Sequence, residues 1–564
     1  MDKMIGGRLA AEALIERGVK YIFSISGGHI TPIYEFLENS GVKIFSTRHE
    51  QAAVFMAEAM ARMTRRPAVA MVTAGPGFTN ALTGIASARL SNAPVILIAG
   101  IVGLEMSEKL DLQDMVQLPV IQPMVKKALV CHNAERIPEF IDMAFRYAMQ
   151  GRPGPVYLEI PVDVLNAKPD MAKVKTYRST VAAKAVDSAA AATIVDMLEQ
   201  AKKPIIIAGS GAWYADAGPE LTAFVEKTGI PILTMAGGRG IVPDTHPLCF
   251  ESALAIRPGA ALVADTQADL VLFLGSRLTL FYIFGNIFSA NAKFVQVDIE
   301  AEEIGRNRSV DLGVVSDIKV MVAELLSIVD ARKIGPKLAQ QYAEWVGTLK
   351  GADAAGKAQA KPSWEKEGAP IHPLRLAHEI DGFMDREDDI VAADGGDTST
   401  WMGMTRTVKK AGHYLDYGLY GCLAVGIPYA NAAKLLNPDK RVLLVIGDGA
   451  AGFNFMEFQT ALYHNLPIVV VVANDTLFGM IAHSQQIRLG HAIKDGTDLG
   501  LVRYDKMVEA LGGFGAFVEK PEDIRPALEA AFKSGKTACI NVMVDPSTIS
   551  PGSVALANLG AYKA

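Results

Sequence analysis

Short, continuously apolar runs alternate with amphipathic stretches along this chain, and they fall into three groups. The first opens with an amphipathic stretch at 7–17, runs at Tyr21–Ser24 and Lys43–Ser46 with a helix over 32–39 between them, continues at 68–73 and 94–99, and closes at 155–160. Runs that are apolar at successive rather than alternate positions predict strands buried on both faces. Their alternation with helices over short connections predicts a parallel sheet covered on both sides. A second group starts at Lys203-Pro204-Ile205-Ile206-Ile207-Ala208-Gly209 and continues at 270–275 and 294–298, and a third holds runs at 389–393, 441–446, 467–473 and 539–544. A polar, Lys-rich stretch at 167–187 and an Ala-, Lys-, Gly- and Pro-rich stretch at 350–373 read as linkers. The expected fold is therefore α/β: three doubly wound parallel-sheet domains at 1–166, 187–350 and 373–564. The first and third could be distant copies.

The length of 564 residues agrees with about three cores, because single domains seldom exceed roughly 250 residues. Half the residues are apolar and 21% are charged, which suits a globular enzyme rather than a disordered chain. A net charge of −6 without a basic stripe argues against a nucleic-acid partner. Residues 1–17 lack the features of a secretory signal, and the apolar runs are far shorter than the ~20 residues that span a bilayer. A cytoplasmic protein with no membrane partner is expected. The four cysteines are widely spaced and show no C-x-x-C pair, so neither disulfides nor a zinc site is expected.

The strongest chemical signal is Val445-Ile446-Gly447-Asp448-Gly449, with Asn474-Asp475 following at the end of the run 467–473. Two adjacent strand ends can present Asp448 and Asp475 to one ion. Their hard oxygens suit magnesium or calcium, a diphosphate would complete the octahedron, and Gly449 lets backbone N–H groups approach phosphate. An ordinary strand-end turn is the alternative, made less attractive by the second acid at this spacing. Glu50, in Thr47-Arg48-His49-Glu50, stands where a strand passes into an Ala- and Met-rich helix. Taken alone it would be a helix-start glutamate favoured by the macrodipole. Thr73-Ala74-Gly75-Pro76-Gly77-Phe78-Thr79-Asn80 is a Gly-Pro turn whose glycines permit close backbone approach, or simply a strand–helix connection.

The metal element resembles the signature of thiamine diphosphate enzymes, in which paired asparagines follow Gly-Asp-Gly; here Asp475 replaces the second asparagine. Together with Ser26-Gly27-Gly28-His29-Ile30, Gly154-Pro155-Val156 and Asp394-Gly395-Gly396-Asp397, the motifs resemble the acetohydroxyacid synthase superfamily over nearly the whole length. Within it, they are similar to the benzaldehyde lyase, 2-hydroxyacyl-CoA lyase and acetolactate-synthase-like branch. The resemblance implies thiamine diphosphate and Mg2+ as cofactors, with Asp448, Asp475 and the Leu477 carbonyl as metal ligands. It implies that Glu50 bonds the aminopyrimidine and activates the cofactor, and that Thr73, Pro76 and Asn80 line the pyrimidine pocket. Gly421 matches a backbone partner of that ring, and Leu423 the apolar prop beneath the bent cofactor. Gly396, Asp397, Gly447, Gly449, Ala450, Phe478 and Gly479 match positions around the diphosphate, while Phe478, Met480 and Tyr417 fall where relatives shape the substrate pocket. His29, as proton shuttle, and Gln113 are expected to enter the active site, because imidazole titrates near neutrality.

The implied activity is a C–C lyase or carboligase acting on 2-hydroxyacyl-CoA, 2-hydroxyketone or aldehyde substrates. Acetolactate synthase using pyruvate and an oxalyl-CoA-type decarboxylase are the alternatives within the class. The aromatic by which the synthases select their acceptor is not evident in Met480-Ile481-Ala482-His483, and Gly275-Ser276-Arg277-Leu278-Thr279 does not continue as their flavin-contacting stretch, so FAD is not expected. A non-catalytic cofactor-binding subunit is disfavoured by the retention of Glu50, Asp448 and His29. A nicotinamide oxidoreductase has only the partial fingerprint Ile207-Ala208-Gly209-Ser210-Gly211 in its support. The family's site is shared between subunits, so at least a homodimer is implied, with a homotetramer expected. The tail 545–564, with two prolines and several hydroxyl residues, is expected to form no stable helix before Val554, leaving Val554, Leu556 and Leu559 to dock. By resemblance to CoA-dependent relatives it would be a lid.

Overall fold

A computed structural model describes residues 4–177, 186–252 and 259–558. Its strands form three six-stranded, wholly parallel sheets with helices on both faces. The first comprises β1 (Tyr21–Ser24), β2 (Lys43–Ser46), β3 (Ala68–Val72), β4 (Val95–Ile101), β5 (Lys127–Val130) and β6 (Val156–Pro161), in the order β2-β1-β3-β4-β6-β5. The second comprises β7 (Pro204–Ala208), β8 (Ile232–Thr234), β9 (Cys249–Ser252), β10 (Leu270–Leu274), β11 (Lys293–Asp298) and β12 (Leu312–Val315), ordered β12-β11-β10-β7-β8-β9. The third comprises β13 (Ile390–Asp394), β14 (Tyr414–Asp416), β15 (Val442–Gly447), β16 (Val469–Asn474), β17 (Phe514–Val518) and β18 (Ala538–Met543), ordered β14-β13-β15-β16-β18-β17. The first and third sheets repeat one strand order, as distant copies would. The second has the order of dinucleotide-binding sheets.

In open sheets of this kind ligands bind outside the carboxyl ends of the strands, where the order reverses. Those points lie between β1 and β3, β7 and β10, and β13 and β15. Register makes the third one level: Asp394 pairs with Ile446, and Gly447 with Ala473. The residues that follow these strands therefore emerge side by side.

Chain contacts divide the molecule into two compact units. One comprises Met1–Val181, Tyr417–Asp439 and Ala451–Ile468, and holds the first sheet; the other comprises Ala182–Asp416, Lys440–Ala450 and Val469–Ala564, and holds the other two sheets. Among the described residues no helix is long and apolar enough to cross a membrane.

The stretch 350–373 is not the linker its composition predicts, because the helix Gly335–Trp364 runs through most of it. Tyr342 and Trp345 anchor that helix to the second domain by bonds to the carbonyls of Leu198 (2.5 Å) and Pro204 (3.1 Å). Good helix formers, Ala and Lys above all, then continue it through more exposed positions to Trp364, which stacks on His378. In the stretch 167–187, no helix or strand occurs among the described residues, and 178–185 lie outside them.

The tail also departs from expectation: a helix spans Pro551–Asn558. Ser550 caps it by accepting the Ser553 N–H at 3.0 Å, and proline at the first helical position starts a helix rather than breaking one. Leu559 lies outside the described residues. The hydroxyls of Ser550 and Ser553, both fully buried, donate to Asp397 Oδ1, the latter at 2.6 Å. A hydrogen bond to a buried carboxylate contributes about 1.5–3 kcal/mol. Ser553→Ala is therefore expected to lower unfolding free energy by about that amount and to make the tail helix more sensitive to limited proteolysis, as read by denaturant melts and mass spectrometry of the first cleavage products.

Candidate active site

The residues marked out by sequence gather in two groups, one in each compact unit. Glu50, Asn80, His29, Thr73, Pro76, Gln113, Gly421 and Leu423 lie in the first; Gly396, Asp397, Gly447, Asp448, Gly449, Ala450, Asp475, Leu477, Phe478 and Gly479 lie in the second.

In the first unit, β2 ends at Ser46 and the helix Glu50–Thr64 begins four residues on, capped by His49, whose Nδ1 accepts the Gln51 N–H at 3.2 Å. Glu50 is thereby buried at the first turn, and its Oε2 accepts a hydrogen bond of 2.9 Å from Asn80 Nδ2. Pro76 starts the helix that carries Asn80. Gly77 faces the other oxygen, where a side-chain carbon would stand 3.6 Å from Glu50 Oε1. The carboxylate thus keeps one oxygen for a ligand. The Arg48 N–H just before it donates to the buried Glu457 at 2.9 Å. Gln51 donates to Asn454 at 3.2 Å, and Asn454 in turn donates to the Ala424 carbonyl at 2.9 Å, tying the loop of Gly421 and Leu423 to this helix.

His29, Thr73 and Gln113 meet at the reversal point between β1 and β3. His29 Nδ1 lies 3.1 Å from Thr73 Oγ1, which lies 3.4 Å from Gln113 Oε1. With the hydroxyl donating to the Gln113 carbonyl, Nδ1–H donates to the hydroxyl, and Nε2 is left with its lone pair. Burial holds the imidazole below its usual pKa against the opposing charge of Asp111, so it is neutral at physiological pH. A neutral imidazole with a free lone pair can take a proton and give it back.

In the second unit, Asp448 is buried and Asp475 beside it is largely covered, close enough for the charge of each to act on the other. Among the described residues no lysine or arginine pairs with either. Burial raises both pKa values, and the neighbouring charge of Asp475 raises that of Asp448 further. Asn474 does not share this position. It is fully buried and donates to Asn541 Oδ1 at 3.0 Å, while the Leu477 N–H holds Asp475 Oδ1 at 3.1 Å. Tyr504 fixes the Asp448 carbonyl at 2.8 Å.

These residues fit a divalent cation bound to a diphosphate. Two neighbouring carboxylates whose one cationic neighbour, His483, is already bonded to Asp397 favour further positive charge, and among the described residues no cluster of three or more His, Cys, Asp or Glu offers a complete cage. The remaining oxygens must come from a backbone carbonyl, water or phosphate. Close approach is built in: side-chain carbons at Gly396 and Gly449 would stand 2.6 Å from Met480 Sδ and 2.7 Å from the Phe478 ring, and one at Gly479 would strike Asp475. The helices Gly396–Thr405 and Gly479–Leu489 begin here with free N–H groups suited to an anion. The Asp397 carboxylate is taken up elsewhere, by the tail serines and by His483 Nδ1, 2.6 Å away, so only the backbone of Asp397 is left for such an anion. His483 Nε2 lies 2.9 Å from the Pro546 carbonyl, which can only accept, so the ring carries both protons. Burial opposes that charge, but the bonds to Asp397 and Pro546 outweigh it and raise the pKa.

His483, Ser550, Glu457 and Gln117 take part in these arrangements without having stood out in the sequence. Only the Ser-Pro helix start at 550–551 carried a local signal.

Three family models match successive stretches of the chain: thiamine pyrophosphate enzyme, N-terminal TPP binding domain over 4–120, central domain over 191–325, and C-terminal TPP binding domain over 394–542. The chain is 32% identical over 554 residues to an acetolactate synthase large subunit of Mycobacterium tuberculosis, covering 97% of each. It is 30% identical over 568 residues to 2-hydroxyacyl-CoA lyase 1 of Homo sapiens, covering 97% of this chain and 95% of the relative. It is 30% identical over 577 residues to a 2-hydroxyacyl-CoA lyase of Oryza sativa, covering 96% of each.

In the metal-free protein the acidic pair has a sign that can be tested. Folded pKa values above the ordinary carboxylate value of about 4 mean that the native state keeps a proton the unfolded chain has lost. Stability from this pair is therefore lost as pH rises from that value through the folded ones. Asp475→Asn is expected to remove this loss, so that the variant exceeds the parent by about 1–3 kcal/mol near pH 8 and by less near pH 5, while binding Mn2+ more weakly by electron paramagnetic titration.

Proposed function

The chain belongs to the thiamine pyrophosphate enzymes, on the branch that holds acetolactate synthases and 2-hydroxyacyl-CoA lyases, and we propose that it is a Mg2+-dependent lyase and carboligase for 2-hydroxyacyl-CoA, 2-hydroxyketone or aldehyde substrates. Bound thiamine diphosphate supplies a nucleophilic carbon that adds to a carbonyl and takes up the electron pair of the broken C–C bond. Asp448, Asp475 and the Leu477 carbonyl hold Mg2+. The backbone around Gly396, Asp397, Gly449, Ala450 and Gly479 receives the diphosphate. Glu50, steadied by Asn80, bonds the pyrimidine ring, to which Gly421 offers its backbone, and Leu423 supports the cofactor.

The observation that favours a lyase is the His29–Thr73–Gln113 chain. A 2-hydroxy substrate must give up its hydroxyl proton as the neighbouring C–C bond breaks. The free Nε2 of a neutral His29 is suited to take it, and in ligation to return it. Decarboxylation of pyruvate releases CO2 and asks for no such base. Acetolactate synthesis remains the second reading, on the 32% identity to a synthase. Assays of pyruvate, benzoin, formaldehyde and 2-hydroxyacyl-CoA thioesters, with and without thiamine diphosphate and Mg2+, separate the two. Turnover of 2-hydroxyacyl-CoA or hydroxyketone supports the lyase, and turnover of pyruvate alone rejects it. The tail helix, as a lid over the substrate, is part of the same reading.

Glu50→Gln is expected to keep its circular dichroism spectrum and its thiamine diphosphate binding while losing about 10²–10⁴-fold in turnover. The site is proposed to join Glu50 of one copy to Asp448 of another, in a homodimer at least and a homotetramer by expectation. Mixing inactive Glu50→Gln with inactive Asp448→Ala subunits should then restore part of the activity. No recovery after exchange verified by native mass spectrometry would reject the shared site.

A further inference from the structure

The His29–Thr73–Gln113 cluster rests on two glycines. A side-chain carbon at Gly100 would lie 2.6 Å from His29 Cβ and 2.7 Å from its carbonyl oxygen, so the backbone of β4 directly supports His29. A side-chain carbon at Gly75 would lie 2.9 Å from the Gln113 carbonyl oxygen and 3.1 Å from its Cα, so the turn before Pro76 directly supports Gln113. Gly75 sits at φ 56°, ψ −108°, a conformation that needs glycine, and Gln113 itself is left-handed at φ 67°. Gly100 lies in the regular strand β4, whereas the backbone at Gly75 and at Gln113 is not shaped by local preference.

One side chain reaches both. Gln117 is 2% exposed; its Oε1 accepts the Gly75 N–H at 2.9 Å, and its Nε2 lies 3.4 Å from the Gly100 carbonyl. Because a backbone N–H can only donate, the orientation of the amide is fixed. Nε2 also lies 2.8 Å from Tyr157 Oη and 3.3 Å from Glu159 Oε2, so its two hydrogens are shared among three acceptors, one N–H being bifurcated, and the Tyr157 hydroxyl donates to Glu159 Oε2 at 2.6 Å. Tyr157 and Glu159 are both buried, on β6, so the amide is braced from the middle of the sheet. A buried network with every member bonded is rigid, and losing one member leaves the others unsatisfied.

We propose that Gln117, braced by Tyr157 and Glu159, is a positioning residue that holds His29 and Gln113 in register with each other, by pinning the two glycines on which they rest. This builds on the reading of the cluster as the proton-handling part of a lyase site. Gln117 touches no reacting group and acts through backbone; sub-ångström placement of such groups is worth orders of magnitude in rate.

The test uses Gln117→Met, of similar length but unable to make these bonds, and Gln117→Glu, in the full-length protein with thiamine diphosphate and Mg2+. Gln117→Met is expected to lose about 10–100-fold in kcat with KM changed little, and hydrogen-exchange mass spectrometry should show faster exchange of the Gly75 amide. In Gln117→Glu the titratable side chains facing residue 117 are Glu159 and Tyr157. The protonated acid can replace the amide as donor, whereas the carboxylate is repelled by Glu159. Its activity should therefore approach the parent's at low pH and fall as pH rises, a limb absent from the parent. A Gln117→Met protein with the parent's kcat, or with the parent's Gly75 exchange, would overturn the proposal. If the parent turns over none of the candidate substrates, the lyase reading fails, and exchange at Gly75 alone then decides whether Gln117 holds the walls.

Discussion

Asp448 and Asp475 are folded against each other with no lysine or arginine among the described residues paired to either and only the His483 imidazolium near Asp475, and the third domain is organised around that conflict. An uncompensated buried charge costs several kcal/mol, and a second beside it adds repulsion. The parallel register brings the two strand ends together: Gly447 is level with Ala473, so Asp448 and Asn474-Asp475 follow side by side. Asn474 is turned inward to Asn541, Tyr504 secures the Asp448 carbonyl, and glycines clear the space in front. A divalent cation with a phosphate would convert the conflict into a binding site.

The first sheet repeats the strand order of the third, yet its reversal point carries opposite chemistry. Where the third gathers charge, the first gathers the neutral chain of His29, Thr73 and Gln113, with the carboxylate of Glu50 satisfied by Asn80. On the proposed reading, one topology would serve metal and phosphate in one copy and proton handling in the other. The middle sheet puts glycine backbones at its own reversal point, where a side-chain carbon at Gly211 would stand 2.7 Å from the Gly275 Cα.

Much of this was legible because central strands are buried on both faces: the runs at 68–73, 204–208, 441–446 and 467–473 announce themselves. Those that escaped notice were chiefly edge strands, β5, β9, β12, β14 and β17, of three to five residues: β9 and β14 mix polar and apolar residues, while β12 and β17 are interrupted by glycine and, like β5, only partly covered. The stretch 350–373 misled because alanine and lysine suit a helix as well as a linker. The tail misled because proline was weighed as a breaker although Ser550-Pro551 is a helix start. Glu50, Asp448 and Asp475 stood out because acids at strand ends are conspicuous. Gln117 and His483 did not, since their partners lie 42 and 86 residues away or more in Gly75, Glu159 and Asp397, and no local pattern records such a contact.

The central claim is that the acidic pair is a metal site that holds a diphosphate cofactor. Titration calorimetry of metal-free protein with thiamine diphosphate addresses it directly, with and without Mg2+ and with Asp448→Ala alongside. The account predicts saturable binding that requires the divalent cation and disappears in the variant. Equal binding in the absence of any divalent ion, or undiminished binding by Asp448→Ala, would contradict it.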